Sequence, residues 1–272
     1  MRVISDIHIH SKYSRACSKD LNPENLDKWG KIKGVNLIGT GDFTHPAWRA
    51  ELKEKLVPAE EGFFKLKGGD GRVRFVLSCE VACIYSQGAK KMRRVHYVLL
   101  LPSFVAVEKF TASLEKRGAK LASDGRPILG MNSVEILKYL LDADENALMI
   151  PAHAWTPYFG IFGSKSGFDS VEECFGDYAK YIYAFETGLS SDPAMNWRVS
   201  HTDRFSIVSA SDAHSLPRIG REATVMEIPE REFSYGEYFR ILKEKDRERF
   251  KFTIEYFPEE GKYHLDGHGP CG

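Results

Sequence analysis

Nine histidines are spread along 272 residues, and most stand beside carboxylates at the ends of apolar runs. The first run closes in Asp6-Ile7-His8-Ile9-His10. In extended chain, residues i and i+2 project to the same side, so His8 and His10 can converge on one ion. Later runs close in Gly41-Asp42-Phe43-Thr44-His45, at Glu80, in Pro151-Ala152-His153, at Glu186 and in Ser211-Asp212-Ala213-His214. Any one of these histidines alone reads most simply as a hydrogen-bonded core residue. Jointly they are hard to explain by packing, because each such group costs free energy if buried unpaired. Imidazole mixed with carboxylate suits Zn, Mn or Fe, not an all-oxygen calcium cage. The donors exceed one tetrahedral shell, so two or three divalent ions sharing a bridging carboxylate are expected. Paired ions about 3.5–4 Å apart characterise phosphoester hydrolases, where they activate water and neutralise charge at phosphorus.

Something must bring these distant residues to one place. Apolar, β-branched runs recur at 3–9, 35–41, 74–79, 95–101, 147–152, 181–185, 206–210 and 223–228 and read as strands. Helical signals lie between them. Asn22-Pro23 reads as an N-cap followed by Pro in the first turn, with Gly34 as the stop. Ser133 is placed to cap 134–141, and Ser170 with Glu173 and Ser234 with Glu237 form capping boxes. Alternating strands and helices imply a parallel α/β sheet, and seven or eight strands favour closure into a barrel. The carboxyl ends of such strands open on one face, where sites are built. His96 stands near the start of its run instead. An antiparallel hairpin through Gln87-Gly88-Ala89 would bring it roughly opposite Glu80, and a slip of one residue would turn it away.

Composition excludes several classes. Hydrophobic residues make up 43% and charged residues 28%, which is globular rather than disordered or fibrous. Thirty-eight Lys+Arg balance thirty-eight Asp+Glu, so a nucleic-acid partner would need a local basic patch rather than a basic coat. No run approaches the roughly 20 apolar residues of a membrane helix. Met1-Arg2-Val3-Ile4 reads directly into a strand without a signal-peptide pattern. Five cysteines form no CxxC pair, which favours free thiols and a cytoplasmic setting.

One local basic patch does exist. Lys90, Lys91, Arg93 and Arg94 fall on the expected hairpin, and Lys12, Arg15 and Lys19 follow the first metal motif. They can hold backbone phosphates, or they are solvated turn residues. Trp48, Trp155, Tyr158, Phe159, Phe162 and Trp197 concentrate in loops beyond strand ends. Such rings either stack an extruded base or anchor the loops. Asp192, followed by Pro193, reads as an N-cap, or as an acid that positions a water on the metal face.

Asp6-x-His8-x-His10-Ser11, Gly39-Thr40-Gly41-Asp42, Glu80, His96, Pro151-x-His153 and Ser211-Asp212-x-His214 resemble the PHP (polymerase and histidinol phosphatase) superfamily over most of residues 1–230. The resemblance implies a distorted TIM-like (β/α)7 barrel with a trinuclear metal site and phosphoesterase chemistry. It implies that His8, His10, Glu80 and Asp212 hold one ion. Glu80 would bridge to a second ion completed by His96 and His153, with His214 serving a third. Two positions depart from the pattern: Arg15 and Ala16 stand where a histidine is usual, and Phe43 replaces another, with His45 displaced. Asp42, His45 or Cys17 would then substitute at the third site, or that site is weak.

Within the superfamily, Gly39–Trp48, Pro151–Pro157, Glu186–Trp197 and Glu255–His264 resemble endonuclease Q. That resemblance implies a metal-dependent endonuclease that nicks DNA 5′ of deaminated bases (uracil, hypoxanthine, xanthine) or at abasic sites. It also implies a catalytic barrel over residues 1–232. Residues 233–272 would carry a helix and the start of a zinc-binding segment, cut short near Cys271. On this reading Asp192, Asp212 and His214 are catalytic candidates. Lys12, Arg15, Lys90, Lys91, Arg93, Arg94, Trp48, Trp155 and Trp197 would meet DNA. The cofactors would be two or three ions of Zn, Mn or Mg, with Zn favoured for tight binding, and the protein would act as a monomer without a membrane. A PHP phosphatase acting on a small phosphomonoester, or a non-catalytic metal-stabilised DNA-binding module, are the alternatives.

Overall fold

The computed structural model describes residues 1–87 and 91–263. In chain order the elements are β1 (Arg2–Asp6), α1 (Pro23–Lys33), β2 (Leu37–Gly39), α2 (Pro46–Lys55), β3 (Leu56–Pro58), β4 (Phe64–Leu66) and β5 (Arg74–Gln87). Then follow β6 (Lys91–Leu101), α3 (Phe104–Lys116), β7 (Ile128–Leu129), α4 (Ser133–Ala143), β8 (Leu148–Pro151), α5 (Val171–Phe175) and β9 (Ala184–Glu186). The chain continues through α6 (Pro193–Asn196), β10 (Ser206–Val208), β11 (Ala223–Glu227), α7 (Tyr235–Glu244) and β12 (Phe250–Ile254). All eight expected strands are present; five stop one to three residues early, whereas the one expected to close at Cys79 runs on to Gln87. β1, β2, β8 and β10 stop before the polar site residues that follow them, whereas Glu80, His96 and Glu186 lie within β5, β6 and β9.

Local chemistry explains the helix boundaries. The Asn22 side chain accepts from Asn25 N, and Gly34 ends α1 at φ 73°. Ser170 and Ser234 cap α5 and α7 as expected. Asn132, not Ser133, caps α4 by accepting from Glu135 N, and Ser133 becomes the first helical residue. Ser133 Oγ instead accepts from the Tyr97 hydroxyl at 2.7 Å.

The architecture is mixed α/β. β1 pairs parallel with β2, and β2 parallel with β5. β5 and β6 form a long antiparallel hairpin, and β6 pairs antiparallel with β8. β9 and β10 form a separate parallel pair. The uniformly parallel sheet expected outside the hairpin is therefore not what forms. β11 returns antiparallel to β1, because no crossover helix separates it from β10. The core has two parts. One lies between the strands and their flanking helices and includes Leu26, Phe43, Trp48, Phe75, Phe110 and Leu140. The other gathers alternating residues of the strands (Val3, Leu37, Val76, Val98, Ile150, Ala184, Val208) with the apolar face of α7. Helix α7 caps the end of the strands opposite the histidines, and its Tyr238 hydroxyl meets Ser5 Oγ at 3.3 Å. No helix among the described residues is long and apolar enough to cross a membrane.

Candidate metal centre

β1 ends at Asp6, and an isolated parallel bridge between Ile9 and Ala213 ties the chain beyond it to the segment after β10. Ile7 and Ile9 are buried in different parts of the core, and the donor atoms of His8 and His10 converge on one group. His8, His10, Glu80 and Asp212 form one group whose donor atoms all lie within 4.8 Å of one another; Glu80, His96 and His153 form a second. Glu80 serves both. Its Oε2 lies 3.6 Å from His8 Nε2 and 3.3 Å from His10 Nε2. Its Oε1 lies 2.6 Å from His96 Nδ1 and 3.3 Å from His153 Nε2. Asp212 Oδ1 completes the first group, 3.5 Å from His8 Nε2 and 3.1 Å from His10 Nε2.

The hairpin register explains His96. Glu80 pairs with Val98, and His96 pairs with Ala82. The expected pairing is thus off by two residues, which keeps both side chains on one face and leaves a diagonal contact instead of a direct one.

A second set of contacts orients the first. His8 Nδ1 lies 2.8 Å from Glu186 Oε2, and His10 Nδ1 lies 3.1 Å from Asp42 Oδ1. His153 Nδ1 lies 3.0 Å from Thr156 Oγ1. Asp42 is held in turn by the backbone and hydroxyl of Ser11, both at 2.6 Å, and by Ser14 Oγ at 2.9 Å. Fixing one imidazole nitrogen on a carboxylate leaves the other to point at an ion, the usual arrangement around metal-bound histidine. The donors fit that purpose: His8 Nε2 is buried with no hydrogen-bond partner among the described residues. Asp42, His153 and Asp212 sit at φ 49°, 31° and 47°. Non-glycine residues in that region are strained, and such strain persists where the surroundings over-determine it.

The electrostatics follow from burial and crowding. Burial alone would depress His8 and His10. The carboxylates around them prevail and hold both well above the ordinary histidine range. Burial alone would raise Glu80 and Asp212, but the imidazoles hold both below the carboxylate range. His96 goes the other way: burial outweighs Glu80 and takes it down to about 4, leaving the neutral ring a metal requires. Asp6 is raised to about 6 by burial, and it ties the loop after β10 to β1 by accepting from Ser211 N and Gly220 N.

Several expected site residues lie elsewhere. His45 caps α2 by accepting from Trp48 N and stacks on Tyr13 at 4.3 Å, outside both donor groups. Asp42 orients His10 rather than joining a group. His214 sits at the edge, its ring 4.5 Å from that of His10 and its Nδ1 2.8 Å from Asp212 O. Asp192 caps α6, accepting from Met195 N at 2.7 Å. Trp48 is fully buried and donates to Gly41 O at 2.8 Å, so it anchors the loop after β2 and cannot stack a base. Trp155 donates to Asn196 Oδ1 at 2.6 Å and packs on Phe162. Trp197 is 67% exposed and Tyr158 is 49% exposed.

Among the cations, Arg93 is only 2% exposed, stacks on Phe168 at 3.8 Å and donates to Gln87, Gly167 O and Glu173. It is a buried tie, not a surface clamp, because its side of the hairpin faces the segment before α5. Arg94 lies near Tyr158. Lys12 pairs with Glu51, and Arg15 pairs with Asp124 while staying largely exposed. Lys90 and Cys271 lie outside the described residues, and of Lys91 only the backbone is described.

Sequence reasoning missed three kinds of residue. Glu186 was visible as a strand-end acid, but its role as the partner of His8 was not. Arg126, whose Nη1 lies 3.0 Å from Glu80 Oε2, follows no strand and carries no motif. Buried Glu222 and half-buried Glu255 form an acidic pair whose oxygens accept from Tyr256 N, Thr187 Oγ1 and Ser209 Oγ. Burial raises Glu255 to about 7, and burial with the charge of Glu255 raises Glu222 to about 8. A cavity of about 220 Å3 joins Glu222 to His153, Glu186 and Asp212.

Fold and donor set together define a class: an α/β protein with a histidine–carboxylate centre suited to divalent metal ions. No family model matches the chain. Among solved structures it is similar to the lesion-specific endonuclease PfuEndoQ of Pyrococcus furiosus, with a TM-score of 0.84 and 32% identity, covering 97% of this chain and 62% of that one. It is similar to the same extent to endonuclease Q in complex with a 27-mer duplex substrate carrying an abasic lesion at the active site (TM-score 0.84, 33% identity, 97% and 62% covered). An uncharacterised protein of Methanocaldococcus jannaschii is 35% identical over 152 residues, 56% of this chain and 16% of that protein. The uncharacterised protein YqxK of Bacillus subtilis is 28% identical over 284 aligned positions, covering 100% of this chain and 70% of that one. The chain thus spans under two thirds of the endonuclease Q chains and about a sixth of the archaeal protein.

Proposed function

We propose that the chain is a metal-dependent DNA endonuclease that hydrolyses the phosphodiester 5′ of a deaminated base or at an abasic site. The observation that carries this reading is the division of Glu80 between two donor groups in a fold similar to endonuclease Q. A carboxylate that offers one oxygen to each side suits two ions held close together. His8, His10 and Asp212 would hold one, His96 and His153 the other. His214 would serve a third, and Zn is favoured for the tightest. When bound, the ions would supply an activated water at neutral pH and neutralise charge at the phosphorus.

The chain's own residues do the rest. Glu186 and Asp42 keep His8 and His10 turned toward the centre. The contacts that sustain the positive φ at Asp42, His153 and Asp212 would hold these residues in place before substrate arrives. Asp212, partly exposed where His8 and His10 are buried, stands at the open side and is the residue best placed to meet substrate. Arg15 and Trp197 are exposed and Arg94 and Trp155 half-buried, and these four would meet the duplex. We assign Asp192 to capping, and Arg93 and Trp48 to packing.

The finer architecture we infer is a distorted (β/α)7 barrel spanning residues 1–232. Support comes from the chain of pairings β1–β2–β5–β6–β8 and from Ala154 N donating to Glu186 O at 2.9 Å, which links the segment after β8 to β9. The Ile9–Ala213 bridge brings the chain after β10 back to β1. We place this enzyme, acting as a monomer on DNA, in the cytoplasm.

The test is a nicking assay on duplexes carrying uracil, hypoxanthine or an abasic site, with Mg, Mn or Zn and with EDTA, beside a small phosphomonoester. Cleavage of a lesion strand that EDTA abolishes supports the proposal. Turnover of the monoester alone assigns a phosphatase. Asp212→Ala or His8→Ala variants that still nick would remove the metal assignment.

A further inference from the structure

The donor groups contain one permanent positive charge whose purpose the metal sites do not explain. Arg126 donates from Nη1 to Glu80 Oε2 at 3.0 Å, the oxygen that also faces His8 and His10. Its side chain is 31% exposed, whereas Glu80 is fully buried. A guanidinium carries five N–H donors in a rigid fork. One meets Glu80, and no other side-chain hydrogen bond of Arg126 occurs among the described residues. The remaining donors have no side-chain partner among the described residues, on a side chain that is partly open to solvent.

The backbone holds this arginine with unusual care. Asp124 Oδ1 accepts from Arg126 N at 3.2 Å. Gly125 N donates to Tyr13 O at 3.1 Å, and Thr44 Oγ1 donates to Gly125 O at 3.2 Å. On the far side, Ala82 N donates to Pro127 O at 3.0 Å, and β7 then pairs with β5. Pro127 also biases Arg126 to an extended backbone. Gly125 is required at its position: a Cβ there would stand 2.4 Å from Asp42 Oδ2 and from Ser14 Oγ. The loop is therefore packed against the acid that orients His10. A residue needed only as a counter-ion for Glu80 would not call for this support, since four imidazoles already surround that carboxylate.

We propose that Arg126 is a phosphate-binding residue. It clasps a non-bridging oxygen of the scissile phosphodiester with its free N–H groups while its Nη1 stays on Glu80. A planar fork matches phosphate bidentately, and its charge sits where negative charge develops during in-line attack. This inference rests on the endonuclease reading and names how that site grips its substrate.

The test compares Arg126→Ala and Arg126→Lys with wild type. The readouts are nicking of an abasic-site duplex, metal content per chain, and affinity for the same duplex in EDTA. Nicking by Arg126→Ala is expected to fall about 10²–10³-fold, the range seen when one transition-state donor is removed. Metal content should stay unchanged, and guanidinium ion in the buffer should restore at least part of the rate. Arg126→Lys should remain impaired, because a point charge does not replace the fork. In EDTA, loss of one phosphate contact should weaken duplex binding and lower the salt slope by about one. Metal loss in step with activity, or full activity in Arg126→Lys, would overturn the proposal and leave Arg126 a structural counter-ion. Should wild type nick no lesion, the endonuclease reading falls, and unchanged duplex affinity in EDTA would separately remove the role of Arg126.

Discussion

Arg93 separates two accounts of the basic hairpin, and its replacement by alanine decides between them. If the side chain held DNA phosphates, Arg93→Ala would leave stability untouched and weaken DNA binding. The structure argues the reverse. The guanidinium is buried, stacked on Phe168 and hydrogen-bonded to Gln87, Gly167 O and Glu173. A desolvated cation–π contact is worth roughly 1–2 kcal/mol. Leaving the Gly167 carbonyl without its charged donor costs about 1–3 kcal/mol. The ion pair adds little, since Glu173 is 38% exposed and can recover water. The total is about 2–5 kcal/mol, overlapping what deletion of a large buried side chain costs. In a chain of this size that lowers the melting temperature by roughly 6–15 °C. Urea and thermal unfolding measure the first quantity. Duplex affinity at several salt concentrations, at a temperature where the variant stays folded, measures the second. Arg94→Ala, on the outer side, is the control and should move stability by less than about 0.5 kcal/mol. The reasoning fails if Arg93→Ala keeps wild-type stability while its salt slope drops by about one.

Other consequences are as direct. Asp42→Asn should weaken metal binding about 10–100-fold, measured by competition with a chelator dye, because His10 loses the carboxylate that turns it; affinity equal to wild type would deny Asp42 that role. Glu222→Gln should stabilise the protein at alkaline pH. The wild-type group is held near 8 when folded, above its ordinary value of 4.5, so folding is favoured below the unfolded value and progressively penalised as pH rises toward and through 8. The variant should therefore be more stable than wild type at pH 9, by at most about 5 kcal/mol, and match it near pH 4.5. A constant difference across that range would refute the assignment. Trp197→Ala should lower lesion-duplex affinity without a change in melting temperature, whereas Trp48→Ala should cost about 3–5 kcal/mol of stability; reversal of the two would invert the division drawn here between surface and core.

The sequence by itself determined the donor set and much of the frame. His8 and His10 were legible because a two-residue period is a property of extended chain, whatever surrounds it. Glu80, His153 and Asp212 were legible because polar residues at the ends of apolar runs must find partners. Asn22, Gly34, Ser170 and Ser234 marked helix ends through local hydrogen bonding, which needs no distant contact. What only tertiary structure decided is which of several equivalent chemistries each residue performs. Asp42 orients and Glu80 bridges, although both are strand-end acids, because Ser11 and Ser14 enclose one and five cationic or imidazole groups surround the other. Arg93 went inward and Arg126 went to the candidate metal centre for a similar reason. An arginine's role is set by whatever lies at the end of a long flexible side chain, and in this fold that neighbour is up to eighty residues away in sequence.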